Sequence, residues 1–385
     1  MESRARAGRF RPRHGALHGA AAPGSGTDSG RQSGICKMDM LKSDFKAVVN
    51  RHNLFWEGEL EEALVLIQYP EDPLHPPAGF DLTRWDHPEE QAETALEAIE
   101  HTVYQADALP CVFPNIGPDF FAAGFGGQLN FTPDTSHIIP FVADLRDAET
   151  LRFRFDHPYV RIMEKLYDLL LEKNRGDFLI ELPDFHPGAD CLVGWRGPAE
   201  LCLDLFDNGE WIKKLLPMIH QEYRKAYYHF YDKLTRAGLP CAAWAGLYSS
   251  IPYGIPSCDF SYLISPEDFD EFFMPALIEE CRLFPRNIFH VDGRGVLNHL
   301  DSILTLPNLQ LIQWVFGAGN GAAQDWIEVY RKCIAHDKAV QVYAGIDDLD
   351  ALFAHLRPER TMLMLQGIST GDEAEYCLKR IRNWK

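Results

Sequence analysis

The feature that most constrains this chain is an alternation that runs along nearly all of it. Eight short apolar or β-branched runs, each closed by turn residues, are separated by segments with helical spacing. The runs are ALVLIQY (63–69), CVFPNI (111–116), FLIELPD (178–184), CAAWAGLY (241–248), NIFHVD (287–292), LQLIQWVF (309–316), AVQVYAG (339–345) and TMLMLQG (361–367). Helices are expected between them at 88–105, 158–174, 198–206 with 210–236, 266–284, 295–305, 322–336, 347–356 and 371–383. Ser265-Pro266-Glu267-Asp268 is a start signal: a capping hydroxyl, proline at the first helical position and acids in the first turn. Strands that run in the same direction need a long crossover, which a helix supplies, and near-continuous apolar strands suit a sheet covered on both faces. The pattern predicts an α/β fold, a single (β/α)8 TIM barrel with long βα loops over its C-terminal face. An open doubly wound sheet would more often carry a glycine-rich phosphate turn after its first strand, and QYPEDPLHPPAG is no such turn.

Composition narrows the function. The chain is 46% hydrophobic and 24% charged, the balance of a water-soluble globular protein, and no window holds the roughly 18 uninterrupted apolar residues of a membrane span. Residues 1–37 carry seven Lys/Arg against Glu2 and Asp28 and lack apolar periodicity. They read as a disordered leader, an over-extended start, with the folded domain occupying 38–385 and beginning at Met38 or Met40. From Met38 onward 30 basic residues face 54 acidic ones, a net of −24 that repels a phosphate backbone, so nucleic acid is not an expected partner. Nine cysteines without a CxxC or paired spacing imply reduced thiols in a cytoplasmic protein.

The Pro- and Gly-rich connections at 70–87, 114–135, 184–196 and 249–265 would share one face of a barrel, where such loops carry chemistry. PDFHPGAD places Asp184, His186 and Asp190 within seven residues, a supply of acid/base groups or ligands; the alternative is that Asp184 caps a turn and His186 lines a loop. In NIFHVDGRG, His290 and Asp292 stand two apart on a strand and point to one side, which suits a divalent metal, zinc above others. The alternative there is an Asp-Gly turn beside a hydrogen-bonded core histidine. The segment after the fourth strand adds Tyr248, Tyr253, Cys258 and Asp259, with Cys258 read as a buried structural thiol. The candidate catalytic set is Asp184, His186, Asp259 and Tyr248; the candidate metal ligands are His290 and Asp292. Tyr253, Trp314, Tyr343, Gln366 and Asp190 are the candidate substrate contacts, all expected at the same ends of strands.

Five ordered runs together resemble the uroporphyrinogen decarboxylase superfamily, closest to its uroporphyrinogen decarboxylase-like or corrinoid methyltransferase-like branch, over residues 45–383. They are PNIGPDFFAAGFGGQLNFTPDTSHIIPFV, FLIELPDFHPGADCLVGWRGPAELCLDLFD, CDFSYLISPEDFDEFFMPAL, IFHVDGRGVLNHLDSILTLPNLQLIQWVFGAG and STGDEAEYCLKRI. The resemblance implies a barrel with its site at the C-terminal ends of the strands. It also implies one of two chemistries: methyl transfer at a zinc held by a His-x-Cys pair and a later cysteine, with a corrinoid on a separate protein, or metal-free decarboxylation of a tetrapyrrole gripped by arginines. His290 matches the first zinc position, but Asp292 stands where the first cysteine would and Ile368 where the later one would. The arginine-rich N-terminal motif of the decarboxylases is replaced by RHNLFWEGEL. The expected function is methyl transfer from a small methylated compound with a corrinoid protein partner. Alternatives are a corrinoid-independent lyase or hydrolase of a small polar substrate and a non-catalytic binding protein.

Overall fold

The computed structural model describes residues 42–385. The leader and the proposed starts at Met38 and Met40 lie outside the described residues. Strands in chain order are β1 (Leu64–Pro70), β2 (Thr102–Ala106), β3 (Cys111–Val112), β4 (Gln128–Phe131), β5 (Ser136–Ile139), β6 (Leu179–Ile180), β7 (Cys241–Ala243), β8 (Leu247–Ser249), β9 (Tyr253–Gly254), β10 (Arg286–Asp292), β11 (Leu309–Val315), β12 (Ala339–Ala344) and β13 (Thr361–Leu365). The fold is mixed α/β, with one seven-stranded sheet in the order β2-β1-β13-β12-β11-β10-β9. Every pairing in it is parallel except β1 with β2. The apolar runs that form β1 and β10 to β13 are continuous in sequence because both faces of the sheet are covered.

The eight expected strands do not all enter that sheet. β3 and β6 pair only with each other, and single backbone bonds extend them: Glu181 N to Val112 O, and Leu182 N to Ala242 O of β7, both at 2.9 Å. The run 241–248 is not one strand. It turns at Trp244–Gly246 and returns antiparallel as β8, a reversal that depends on Gly246 at φ +76. Three further pairings went unread in the sequence: the antiparallel β2, the β4–β5 hairpin and the short β9.

Helices follow the expected spans closely at Pro158–Lys173, Pro198–Asp207 with Gly209–Arg236, and Gly371–Ile381. The expected 88–105 helix stops at Glu100 and gives way to β2. Ser265 caps as expected, its hydroxyl accepting from Asp268 N at 3.1 Å. Three α-helices among the described residues were not expected, the shortest being Phe120–Ala123 in the connection 114–135. Phe45–Glu57 packs across one end of the sheet, where Trp56 Nε1 donates to Tyr248 O at 2.8 Å. The connection 184–196, read as a loop, contains the helix Gly188–Arg196. Tyr227 on the long helix ties β9 inward, its hydroxyl donating to Tyr253 O at 2.7 Å and accepting from Tyr253 N at 3.1 Å.

Strand alternation assigns the two faces. Gln313 pairs with both His290 and Gln341 in register, and Tyr343, Met362, Met364, Leu64 and Leu66 follow on the same face. The turn Trp244–Gly246 lies against this inner face: Trp244 meets the His290 ring edge-on at 5.1 Å, and Gln341 Nε2 donates to Ala245 O at 2.9 Å. A Cβ on Gly246 would stand 3.1 Å from Leu66, so the turn fits there only as glycine. The hairpin thus fills the space beneath His290. Trp314 points the other way, fully buried against Trp326 at 5.1 Å. Among the described residues no helix is long and apolar enough to cross a membrane.

Candidate active site: an acid and histidine cluster

His186 is the hub. Its Nδ1 lies 3.1 Å from Ser257 Oγ, and Ser257 Oγ donates to Asp190 Oδ2 at 2.9 Å. On the other side of the ring, Nε2 lies 3.1 Å from Asp184 Oδ1. Asp190 Oδ1 accepts from Phe260 N at 3.1 Å. Ligand atoms of His186, Asp190 and Asp259 all lie within 4.8 Å of one another. Local structure makes this convergence: Asp184 and His186 lie on the segment leaving β6, Asp190 is in the first turn of Gly188–Arg196, and Ser257 and Asp259 lie on the segment leaving β9, where Ser257 bridges His290.

The charges divide the labour. Burial works against a charged His186, but Asp184, Asp190 and Asp259 outweigh it and hold the imidazole well above its ordinary value. Because Ser257 Oγ donates to Asp190, His186 Nδ1 donates to Ser257, while Asp184 stands beside Nε2 as a counter-charge. For Asp190, burial favours the neutral acid, but His186, Phe260 N and Ser257 prevail and keep it below the ordinary carboxylate range. Asp259 goes the other way, pushed up to about 7 by burial and by Asp190, Asp292 and Asp184. Asp259 is itself exposed to solvent.

His290 completes the cluster from β10. Its Nδ1 donates to Gln313 Oε1, whose own Nε2 donates to Tyr343 Oη at 2.9 Å. Burial lowers its basicity, and His186 adds to that while Gln313, Asp292 and Asp184 oppose it. A neutral ring with Nδ1–H committed to Gln313 presents the Nε2 lone pair to the site. Asp292 stands exposed at the end of β10 on the same face as His290.

Of the residues singled out in the sequence, Asp184, His186, Asp190, Asp259, His290, Asp292 and Tyr343 are brought together. Gln366 is exposed just beyond β13. Tyr253 and Tyr248 are not brought to the cluster. Tyr253 pairs with Arg286, at the opposite end of β10 from His290, roughly 13 Å along the strand, and its hydroxyl donates to Leu247 O at 2.9 Å. Tyr248 packs edge-on against Phe45 and His52 of the N-terminal helix. Trp314 is on the wrong face. Cys258 is buried, and burial with Asp190 nearby holds its thiol well above the ordinary range.

Sequence reasoning placed Gln313 at the strand ends but passed over three residues of this region. They are Ser257, which bonds His186 and Asp190, Asp119, whose charge reaches both, and the buried Glu181 on the segment that leads to Asp184. Asp119 feels both His186 and Asp190, and burial first of all raises it. Glu181, just after β6, is pushed up to about 8 by burial. The missed signal for Glu181 was a polar residue inside an apolar run, FLIEL, where such a residue costs free energy unless something uses it.

No family model matches the sequence, and no curated protein matches it. The structure is similar to that of a methyltransferase from Methanosarcina mazei, with a TM-score of 0.56 and 12% identity, over 87% of this chain and 98% of that one. At that identity the likeness concerns the fold.

Proposed function

We propose that this chain is a methyltransferase-like barrel enzyme of the superfamily it resembles, in which an acid pair replaces thiolate chemistry. The observation that carries this reading is His186 held between Asp184 and the Ser257–Asp190 relay, within ligand distance of Asp259. In the reaction R–X–CH3 + Nu⁻ + Asp259–COOH → R–XH + CH3–Nu + Asp259–COO⁻, the C–X bond breaks as the C–Nu bond forms. The departing heteroatom X takes the proton. A carboxylic acid that titrates near neutrality matches that task. His186 stabilises the carboxylate left behind, and Asp190 positions His186. The acceptor nucleophile is a reduced corrinoid on a separate protein, and the substrate is a small methylated compound.

A zinc centre with two thiolates does not fit. Asp292 and Ile368 hold the cysteine positions, and the buried Cys258 keeps its proton. A divalent cation on nitrogen and oxygen donors is a second reading, favoured by the Nε2 of His290 being turned away from its Gln313 bond. Among the described residues His186, Asp190 and Asp259 have ligand atoms within 4.8 Å of one another and would hold it, with the Nε2 of His290 facing the same site, and such an ion would supply Lewis-acid chemistry.

The test is demethylation of a panel of methyl ethers and methylamines with reduced cobalamin as acceptor, read by mass spectrometry, alongside elemental analysis of the purified protein. Asp259→Asn should lower turnover on the order of 10²-fold or more. Turnover without any methyl acceptor would replace this reading with a lyase or hydrolase, and stoichiometric metal would promote the second reading.

A further inference from the structure

A cavity of about 510 Å³ lies between the long helix Gly209–Arg236 and the helical segment that runs through Phe269–Phe273 into Met274–Arg282. None of the acid and histidine cluster lines it. That volume is in the range of sites for small molecules. One wall is a single helix face, Lys213, Pro217, His220, Gln221 and Arg224, and the other is Phe272, Pro275, Ala276 and Leu283.

Both walls are irregular where they face each other. Pro217 and Pro275 line the cavity, and neither has an N–H to give the preceding turn of its helix. The second wall enters through a π-helical turn at Phe269–Phe273, a departure that often marks functional positions.

The charges inside are unevenly matched. Lys213 pairs with Glu271 across the cavity at 2.8 Å, and Glu279 pairs with Arg282 at 2.5 Å. Arg224 has no carboxylate partner among the described residues; its guanidinium sits over Tyr228 at 5.8 Å. One turn earlier, His220 is 6% exposed and its Nε2 makes no hydrogen bond, with Glu280 Oε2 at 3.3 Å behind it. The lining acids Glu271 and Glu279 are therefore paired, and of the lining bases Lys213 is paired while Arg224 has no carboxylate partner among the described residues; Glu280 stands behind His220.

We propose that this cavity is a second binding site, for a small amphipathic carboxylate. Its apolar body packs between Leu216, Phe272, Pro275 and Ala276, and its carboxylate meets Arg224 with His220 alongside. The site stands apart from the cluster, but only by one segment. Gly188, at φ +66, is placed so that a Cβ would lie 3.6 Å from His220 Nε2 and 3.8 Å from Glu280 Oε2, and Asp190 and His186 flank it in sequence.

Calorimetric titration of the full chain with octanoate, and with octanol as the uncharged comparison, tests the proposal. Octanoate should bind with one site per chain, at least about tenfold tighter than octanol, since a charge-assisted bond to arginine contributes that much. Arg224→Gln, on the exposed rim, should remove the advantage of octanoate and leave octanol unchanged. Ala276→Trp should abolish binding of both with the melting temperature retained. Absence of octanoate binding, equal affinity for octanol, or indifference to Arg224→Gln would overturn it. A change in oligomeric state on gel filtration in Ala276→Trp would overturn it too, making the cavity an interface between copies.

Discussion

His290 and Gln313 are register partners on the adjacent parallel strands β10 and β11, and the Gln313 carboxamide oxygen accepts a hydrogen bond from the Nδ1–H of His290. Gln313 is fully buried and passes the contact on to Tyr343. A single side chain thereby sets the tautomer of His290 and the direction of its free nitrogen.

Gln313→Leu is isosteric enough to pack but leaves Nδ1 without its acceptor. Activity should fall about 10- to 100-fold, and stability by about 1–3 kcal/mol. Steady-state kinetics with urea denaturation checks both. An unchanged kcat would mean that the orientation of His290 is irrelevant to turnover.

Asp259 retains its proton to about 7 in the folded chain, whereas the ordinary value is 3.8. The native state therefore binds more protons than the unfolded one between those values, and stability declines as pH rises through that window. Asp259→Asn should raise the melting temperature at pH 8 and leave it unmoved at pH 3. In the wild type, kcat should decline as pH rises through about 7. A pH–rate profile that is flat from 6 to 8 would remove Asp259 from the acid's role.

Glu181 shows the same sign more strongly because burial alone raises it, from 4.5 to about 8. Below pH 4.5 both states hold the proton and nothing is lost; above 8 the full cost of a buried carboxylate is present. Glu181→Gln should stabilise the protein at pH 9 by on the order of 3 kcal/mol and be neutral at pH 4. Chemical denaturation at the two pH values decides it.

Trp314 was expected in the pocket and is packed against Trp326 on the other face of the sheet. Trp314→Ala should cost about 3–5 kcal/mol of stability while the KM of the folded fraction is unchanged. A large rise in KM with normal stability would return Trp314 to the substrate site.

What the sequence made legible follows from what each signal reports. Apolar runs of five to seven residues announced β1 and β10 to β13 because a covered parallel strand must be apolar throughout. β3 and β6 showed less because only two residues of each are paired, and Trp244–Gly246 was read through as strand because a left-handed turn at one glycine leaves the apolar pattern intact. Asp184, His186 and Asp190 were visible as neighbours in the chain. Their convergence with Asp259 and His290 was guessed from strand ends, and the same guess wrongly brought in Tyr253, since β9 meets β10 at its beginning. Ser257 was silent: a serine in a proline-rich loop carries no pattern until a histidine and an aspartate face it.

The Trp244–Gly246 turn has a kinetic meaning. With Trp244 under His290 and Gly246 wedged on Leu66, Met362 and Met364, the inner face is stoppered on that side. Asp259 and Asp292 are the exposed members of the cluster, so a ligand of His290 would come and go past two acids. In the proposed reaction, a partner covering those two acids would hold substrate and product in place until it left.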